Sequence, residues 1–236
     1  MTSRARFLFA VLFFALLGAN AGAAPAPPND PVALVDPFIG TGGTSGVGLI
    51  DDFPGASAPF GMLQWSPDTP SQPPSGGYLY RDTKITGFSL THLSGAGCQV
   101  FGDFAVMPVL GEVSDPQSVA QSFSHEHETA SPGYYSVHLD GGVDVSLTAQ
   151  ARSGIARFAF PASSHAGILV DAASDQAGVR DARVWIAGPA EIDGYAQSGG
   201  FCGMPNVFTV YFALRFDRPF DAYGTWSSGG IERGAK

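Results

Sequence analysis

Tyr134-Tyr135-Ser136-Val137-His138-Leu139-Asp140-Gly141-Gly142-Val143-Asp144-Val145-Ser146-Leu147-Thr148-Ala149-Gln150 is the stretch that decides the fold. From Val143 every second residue is apolar (Val143, Val145, Leu147, Ala149), and Asp144, Ser146, Thr148 and Gln150 fall between them. A period of two puts the first set on one side of a strand and the second on the other, as in a half-buried antiparallel strand. Ahead of it, Leu139-Asp140-Gly141-Gly142 carries the residues of a tight turn, which separates this strand from another at 134–140.

The same grammar extends outward. Pro132-Gly133 and Asp193-Gly194 read as turns, and further strands are expected at 61–66, 85–93, 104–110, 155–160, 166–172 and 182–187. Phe208, Val210, Phe212, Leu214 and Phe216 line one side of another strand; its other side, with Val207, Tyr211 and Ala213, is apolar enough to suggest cover on both faces. No segment carries a sustained helical i, i+3, i+4 stripe. Many short strands with little helix predict an all-β fold, an antiparallel sandwich or barrel.

The first residues read differently. Arg4 and Arg6 precede an apolar run from Phe7 to Leu17 and the small residues Ala21-Gly22-Ala23, the three-part layout of a secretory signal peptide with cleavage expected after Ala23. The run is shorter than the roughly 20 residues a spanning helix needs. Residues 24–31 form a Pro-rich leader, and the folded domain is expected from Val32. Two positive charges leave with the signal, so 12 basic residues become 10 against 21 acidic, a net of −11 that repels nucleic acid and anionic lipid. Cys98 and Cys202, the only cysteines, are read either as a long-range disulfide or as two buried thiols.

Local motifs give little chemistry by themselves. Gly40-Thr41-Gly42-Gly43-Thr44-Ser45-Gly46-Val47-Gly48 lacks the Gly-Lys-Ser/Thr ending of a phosphate loop, and its glycines fit a backbone that comes close to a neutral ligand or another domain. His125-Glu126-His127-Glu128 places two imidazoles at i and i+2, on one side of a regular strand, but no third ligand is evident; a charged edge or loop looks the same. Asp51 and Asp52 diverge in extended backbone and make a poor acid/base pair. Ser94 lacks the Gly-x-Ser-x-Gly elbow. Thr91-His92-Leu93-Ser94-Gly95-Ala96-Gly97-Cys98 reads as a strand end breaking into a glycine-rich turn that presents His92, Ser94 and Cys98.

Several phrases together point further. Val35-Asp36-Pro37-Phe38-Ile39-Gly40-Thr41-Gly42-Gly43, Phe53-Pro54-Gly55-Ala56-Ser57-Ala58-Pro59-Phe60-Gly61-Met62, Gln64-Trp65-Ser66-Pro67-Asp68, Gly87 to Cys98 and Gly102-Asp103-Phe104 resemble the opening of glycoside hydrolase family 92. The likeness runs from about Val35 to Trp226. It implies an N-terminal β-sandwich of the galactose-mutarotase-like supersandwich type over 32–236, followed in the family by an (α/α)6 barrel. It also implies a calcium-dependent, inverting exo-α-mannosidase acting on mannose-containing glycans. The acid, the base and most calcium ligands are expected on the barrel, which is missing from this chain, so the resemblance gives the chain no catalytic residue and no metal ligand of its own. By the same resemblance, substrate-binding roles fall to Gly42, Gly43, Phe53, Trp65, His92, Ser94, Gly97, Cys98 and Asp103. Trp65 would lie against a pyranose face, and His92 or Asp103 would bond hydroxyls.

Two phrases depart from the family. Leu49-Ile50-Asp51-Asp52-Phe53-Pro54-Gly55 stands where members often carry Gly-His-x-Phe-Pro-Gly, and Pro73-Pro74-Ser75-Gly76-Gly77-Tyr78 where many have Trp-Asp-Gly. The leading expectation is an exported domain, periplasmic or extracellular, that lines a mannose cleft and is inactive alone. Its rivals are a non-catalytic carbohydrate-binding or domain-docking β-module and a purely structural β-domain.

Overall fold

The computed structural model describes residues 30–42, 51–95 and 97–234, so the signal segment, Gly43 and most of the Pro-rich leader lie outside the described residues. The first described element is a 3-10 turn at Pro31–Leu34, capped by Asp30, whose carboxylate accepts from Val32 N at 3.0 Å. The strands that follow are β1 (Ala56–Ser57), β2 (Gln64–Asp68), β3 (Lys84–Ile85), β4 (Gly87–Ser89), β5 (Ala105–Leu110), β6 (Gln121–Ser131), β7 (Tyr134–Leu139), β8 (Val143–Ala149), β9 (Gly154–Ala159), β10 (Ala166–Asp171), β11 (Asp181–Gly188), β12 (Glu191–Gly199), β13 (Val207–Arg215), β14 (Gly224–Ser227) and β15 (Gly230–Arg233).

All of these pairings are antiparallel. One sheet runs β1-β2-β4-β5-β10 and a second β3-β6-β7-β8-β9; β11-β12-β13 form a third, and β14-β15 a hairpin. The two five-stranded sheets face each other as a sandwich. Val143, Val145 and Leu147 are buried from β8, as their alternation requires, and Phe88 of β4 meets the rings of Tyr135 and Phe158 at 6.5 and 6.4 Å. The third sheet packs on through Phe212, whose ring centre lies 4.3 Å from that of Phe104.

Four expectations are corrected. The strand at 85–93 is broken into β3 and β4, and the chain leaves the sheet after Ser89 to supply loop. Asp193-Gly194 is no turn but the middle of β12, where Gly194 sits opposite Phe212. A Cβ there would meet the Phe212 ring and stand 2.6 Å from the Arg183 carbonyl, so this glycine gives room for a ring to cross a strand. The 207–216 strand is covered on one face only: Val207, Tyr211 and Ala213 are exposed while Phe208, Val210, Phe212 and Leu214 are half-buried. Finally, His125-Glu126-His127-Glu128 lies in β6, but its two imidazoles do not share a side. Between the pairs Phe123↔Leu139 and Glu128↔Val137 the register slips by three residues, a wide bulge that re-aims the side chains.

Candidate functional site

Hydrogen bonds draw the loops together. Tyr80 N donates to Thr41 O at 2.8 Å, Leu93 N to Ser75 O at 3.1 Å and Gly95 N to Asp51 O at 3.2 Å. Ser75 Oγ donates to Cys98 O, and Gln176, from beyond β10, joins 73–75 to 101: its Oε1 accepts from Ser75 N at 2.6 Å, its Nε2 donates to Pro73 O at 3.2 Å and its backbone N to Phe101 O at 2.8 Å. Cys98 is disulfide-bonded to Cys202, with Cα atoms 5.2 Å apart, which settles the cysteine alternatives and ties the 91–98 loop to the turn between β12 and β13. Segments 40–42, 51–55, 73–80, 91–98 and 101–103 thus form one cluster.

The residues expected to bind sugar divide into two layers. Gly42 and Ser94 are exposed; Phe53, Gly97 and Cys98 are half-buried, with the Phe53 ring 5.1 Å from that of His92. Trp65, His92 and Asp103 lie beneath. Trp65 is 6% exposed and its indole N–H donates to Phe88 O at 3.0 Å, so it is a core residue with no open face for a pyranose. His92 Nδ1 donates to Gln64 O at 2.8 Å, and Nε2 lies 3.1 Å from Ser89 Oγ and 3.2 Å from Asp68 Oδ1; both nitrogens are engaged inside the protein. Sequence placed these three at the surface because position in a phrase does not reveal depth.

Asp103 is fully buried. Its Oδ2 accepts from Thr91 Oγ1 at 2.7 Å, and its Oδ1 has no partner among the described residues. Burial, with the neighbouring Asp175 carboxylate adding to it, pushes its pKa up to about 6. Asp175 is also raised by burial, although Phe101 N at 3.1 Å and Ala177 N at 2.7 Å donate to its carboxylate.

A second polar cluster escaped the sequence reading. Glu128, with its side chain 1% exposed, accepts from Tyr78 OH at 2.8 Å, Tyr135 OH at 2.5 Å and His125 Nδ1 at 2.7 Å. Burial first, and then the Glu128 carboxylate, holds both phenols well above the ordinary tyrosine pKa, so both remain donors. The His125 ring stacks on Tyr80 at 4.1 Å, and Tyr80 in turn borders Gly42. His127 points away, 6.0 Å from His138. No sequence signal distinguished these two histidines, because only the bulge does.

Fold and loops define the class: an antiparallel β-sandwich domain that gathers glycine-rich polar loops into one cluster. The family model for the glycosyl hydrolase family 92 N-terminal domain matches residues 34–236, and the chain belongs to that family. It is 35% identical to the GH92 α-mannosidase BT3965 of Bacteroides thetaiotaomicron (TM-score 0.71), covering 80% of this chain and 26% of that one. To the GH92 inverting mannosidase BT2199 of the same organism it is 29% identical, with TM-score 0.72, 86% of this chain and 27% of that one covered. Among curated proteins it resembles an uncharacterized secreted glycosidase of Arthroderma benhamiae, 29% identical over 143 residues, 56% of this chain and 18% of the other. The chain therefore spans about a quarter or less of these relatives' length.

Proposed function

We propose that this chain is the substrate-facing N-terminal domain of an exported, calcium-dependent, inverting exo-α-mannosidase, and that its loop cluster forms one wall of the mannose cleft. The observation that carries the reading is the stitching of 40–42, 51–55, 91–98 and 101–103 into one cluster, since these segments hold the phrases shared with family 92. Gly42, Phe53, Ser94, Gly97 and Cys98 are its sugar-facing residues, and Trp65, His92 and Asp103 position them from below. Phe53 offers an apolar ring to a pyranose, while Ser94 and the loop backbone offer hydrogen bonds to hydroxyls. Export is supported by the signal layout, by the disulfide and by the resemblance to a secreted glycosidase.

In inverting hydrolysis a carboxylic acid protonates the leaving glycosidic oxygen while a carboxylate takes a proton from water, whose oxygen attacks the anomeric carbon from the opposite face; the two groups stand roughly 6.5–9.5 Å apart. Both are assigned to the barrel domain. Calcium is assigned there too, on the family resemblance. The part left to this chain is to bind and orient the sugar.

The purified chain, incubated with an α-mannobioside with and without calcium, is expected to release no mannose, and isothermal titration with methyl α-D-mannopyranoside is expected to show weak binding that Ser94→Trp removes. Mannose release, or binding that Ser94→Trp leaves unchanged, contradicts the reading.

A further inference from the structure

We propose that Tyr80 is an aromatic platform of the cleft, a ring against which a neutral pyranose lays its C–H face; the inference rests on the mannose-cleft reading and deepens it. The sequence put that task on Trp65, which the structure buries in the core. Tyr80 belongs to the loop cluster through its backbone N–H, which donates to Thr41 O at 2.8 Å, and 40% of the residue is open to solvent. Gly42 borders it with no side chain of its own; a Cβ there would already touch Tyr80 Cβ, at 3.4 Å. The ring therefore stands at a surface that a ligand reaches, beside a backbone kept bare.

The fold holds this ring in place from behind. One face stacks on the His125 ring, with centres 4.1 Å apart and planes 18° from parallel, and Phe38 packs against Tyr80 at 5.7 Å and 73°. His125 is fixed in turn, because its Nδ1 donates to the buried Glu128 carboxylate at 2.7 Å. The slip of register between Phe123 and Glu128 is what aims His125 at Tyr80 while His127 turns toward His138. His125 Nε2 is buried with no hydrogen-bond partner among the described residues, an exception that calls for a reason. The stack supplies one: the imidazole is placed for the ring it supports and not to bond through both nitrogens. Holding the platform still before a sugar arrives removes the cost of ordering it on binding.

Chemistry narrows the ligand. A pyranose carries hydroxyls around its rim and C–H groups on its face, and an aromatic ring meets the second while loop backbone and Ser94 meet the first. An acyclic polyol has the same hydroxyls but no such face. With a chain of net charge −9, the position favours neutral pyranosides and disfavours anionic sugars.

The test watches the ring and the sugar together. In the wild-type chain with methyl α-D-mannopyranoside, NMR is expected to show nuclear Overhauser effects between the Tyr80 ring protons and the C–H protons of the bound sugar, a signal that depends on no variant folding. Isothermal titration is expected to give binding about tenfold weaker for Tyr80→Ala, with Tyr80→Phe close to wild type. D-Mannitol at the same concentration is expected not to compete. A wild type that binds the mannoside without those effects, an affinity that Tyr80→Ala leaves unchanged, or equal competition by mannitol overturns the proposal; the mannose-cleft reading survives any of these as long as Ser94→Trp removes binding. A wild type that binds no mannoside overturns both, which separates the two failures.

Discussion

Glu128→Ala is expected to lower the unfolding free energy by about 3–5 kcal/mol, the largest effect of any single substitution considered for this chain. The carboxylate accepts from two phenols that are fully buried, Tyr78 and Tyr135, and from His125 Nδ1. Removing it leaves the two buried phenols and the partly exposed His125 without their acceptor, each buried donor costing about 1–3 kcal/mol and not additively. Against a native stability of about 5–15 kcal/mol, such a loss can unfold a substantial fraction of the protein. Glu128→Gln keeps an acceptor oxygen and is expected to lose only about 1–2 kcal/mol. Urea denaturation followed by tyrosine and tryptophan fluorescence measures both variants. A loss below about 1 kcal/mol for the alanine variant would mean that the cluster does not hold the bulge of β6 in place.

The second large effect is on pH dependence, through Asp103. Its carboxyl pKa is raised from 3.8 to about 6 in the folded protein, chiefly by burial and then through Asp175. The sign follows directly: between these values the folded state holds a proton the unfolded state has released. The stabilisation is therefore complete below about pH 4 and is lost as pH rises through about 6. Each pKa unit corresponds to about 1.4 kcal/mol, so the whole step is about 3 kcal/mol. Asp103→Asn removes the titration, and the stability difference between variant and wild type is expected to move in the variant's favour by about that amount from pH 4 to pH 7.5. The titratable groups facing this carboxyl are Asp175, which is raised by burial as well and pushes in the same direction, and His92, which pushes the other way. A difference that stays constant with pH would show that Asp103 does not bind the proton. The strands around it would then owe their stability at acid pH to other groups.

Much of the fold could be read from the sequence because strand periodicity is a local property. The 139–142 turn, β7 and β8 follow from alternation alone, and β5, β9, β10 and β11 fall within a residue of expectation. Errors arose where tertiary contact outweighed local preference. Gly194 looks like a turn residue until Phe212 is placed over it, and the charged 125–128 segment of β6 reads equally as a regular strand or as an edge or loop, because alternation does not show its bulge. The site was legible to a similar degree. Family phrases picked out loops that the fold brings together, but could not separate the surface residues Gly42 and Ser94 from Trp65, His92 and Asp103 beneath them. Depth depends on which strands cover a loop, and the letters of a short phrase carry no record of that. The role of Glu128 and that of Gln176 were missed for the same reason, because their partners are up to 103 residues distant.

The central claim, that these loops form a wall of a sugar cleft, is tested most directly by titrating the isotope-labelled chain with methyl α-D-mannopyranoside and mapping amide shift changes by NMR. Changes concentrated at Gly42, 51–53 and 93–98 are the expected result. A saturating titration that moves no amide in those segments, or moves only amides of the β11-β12-β13 face, would contradict it.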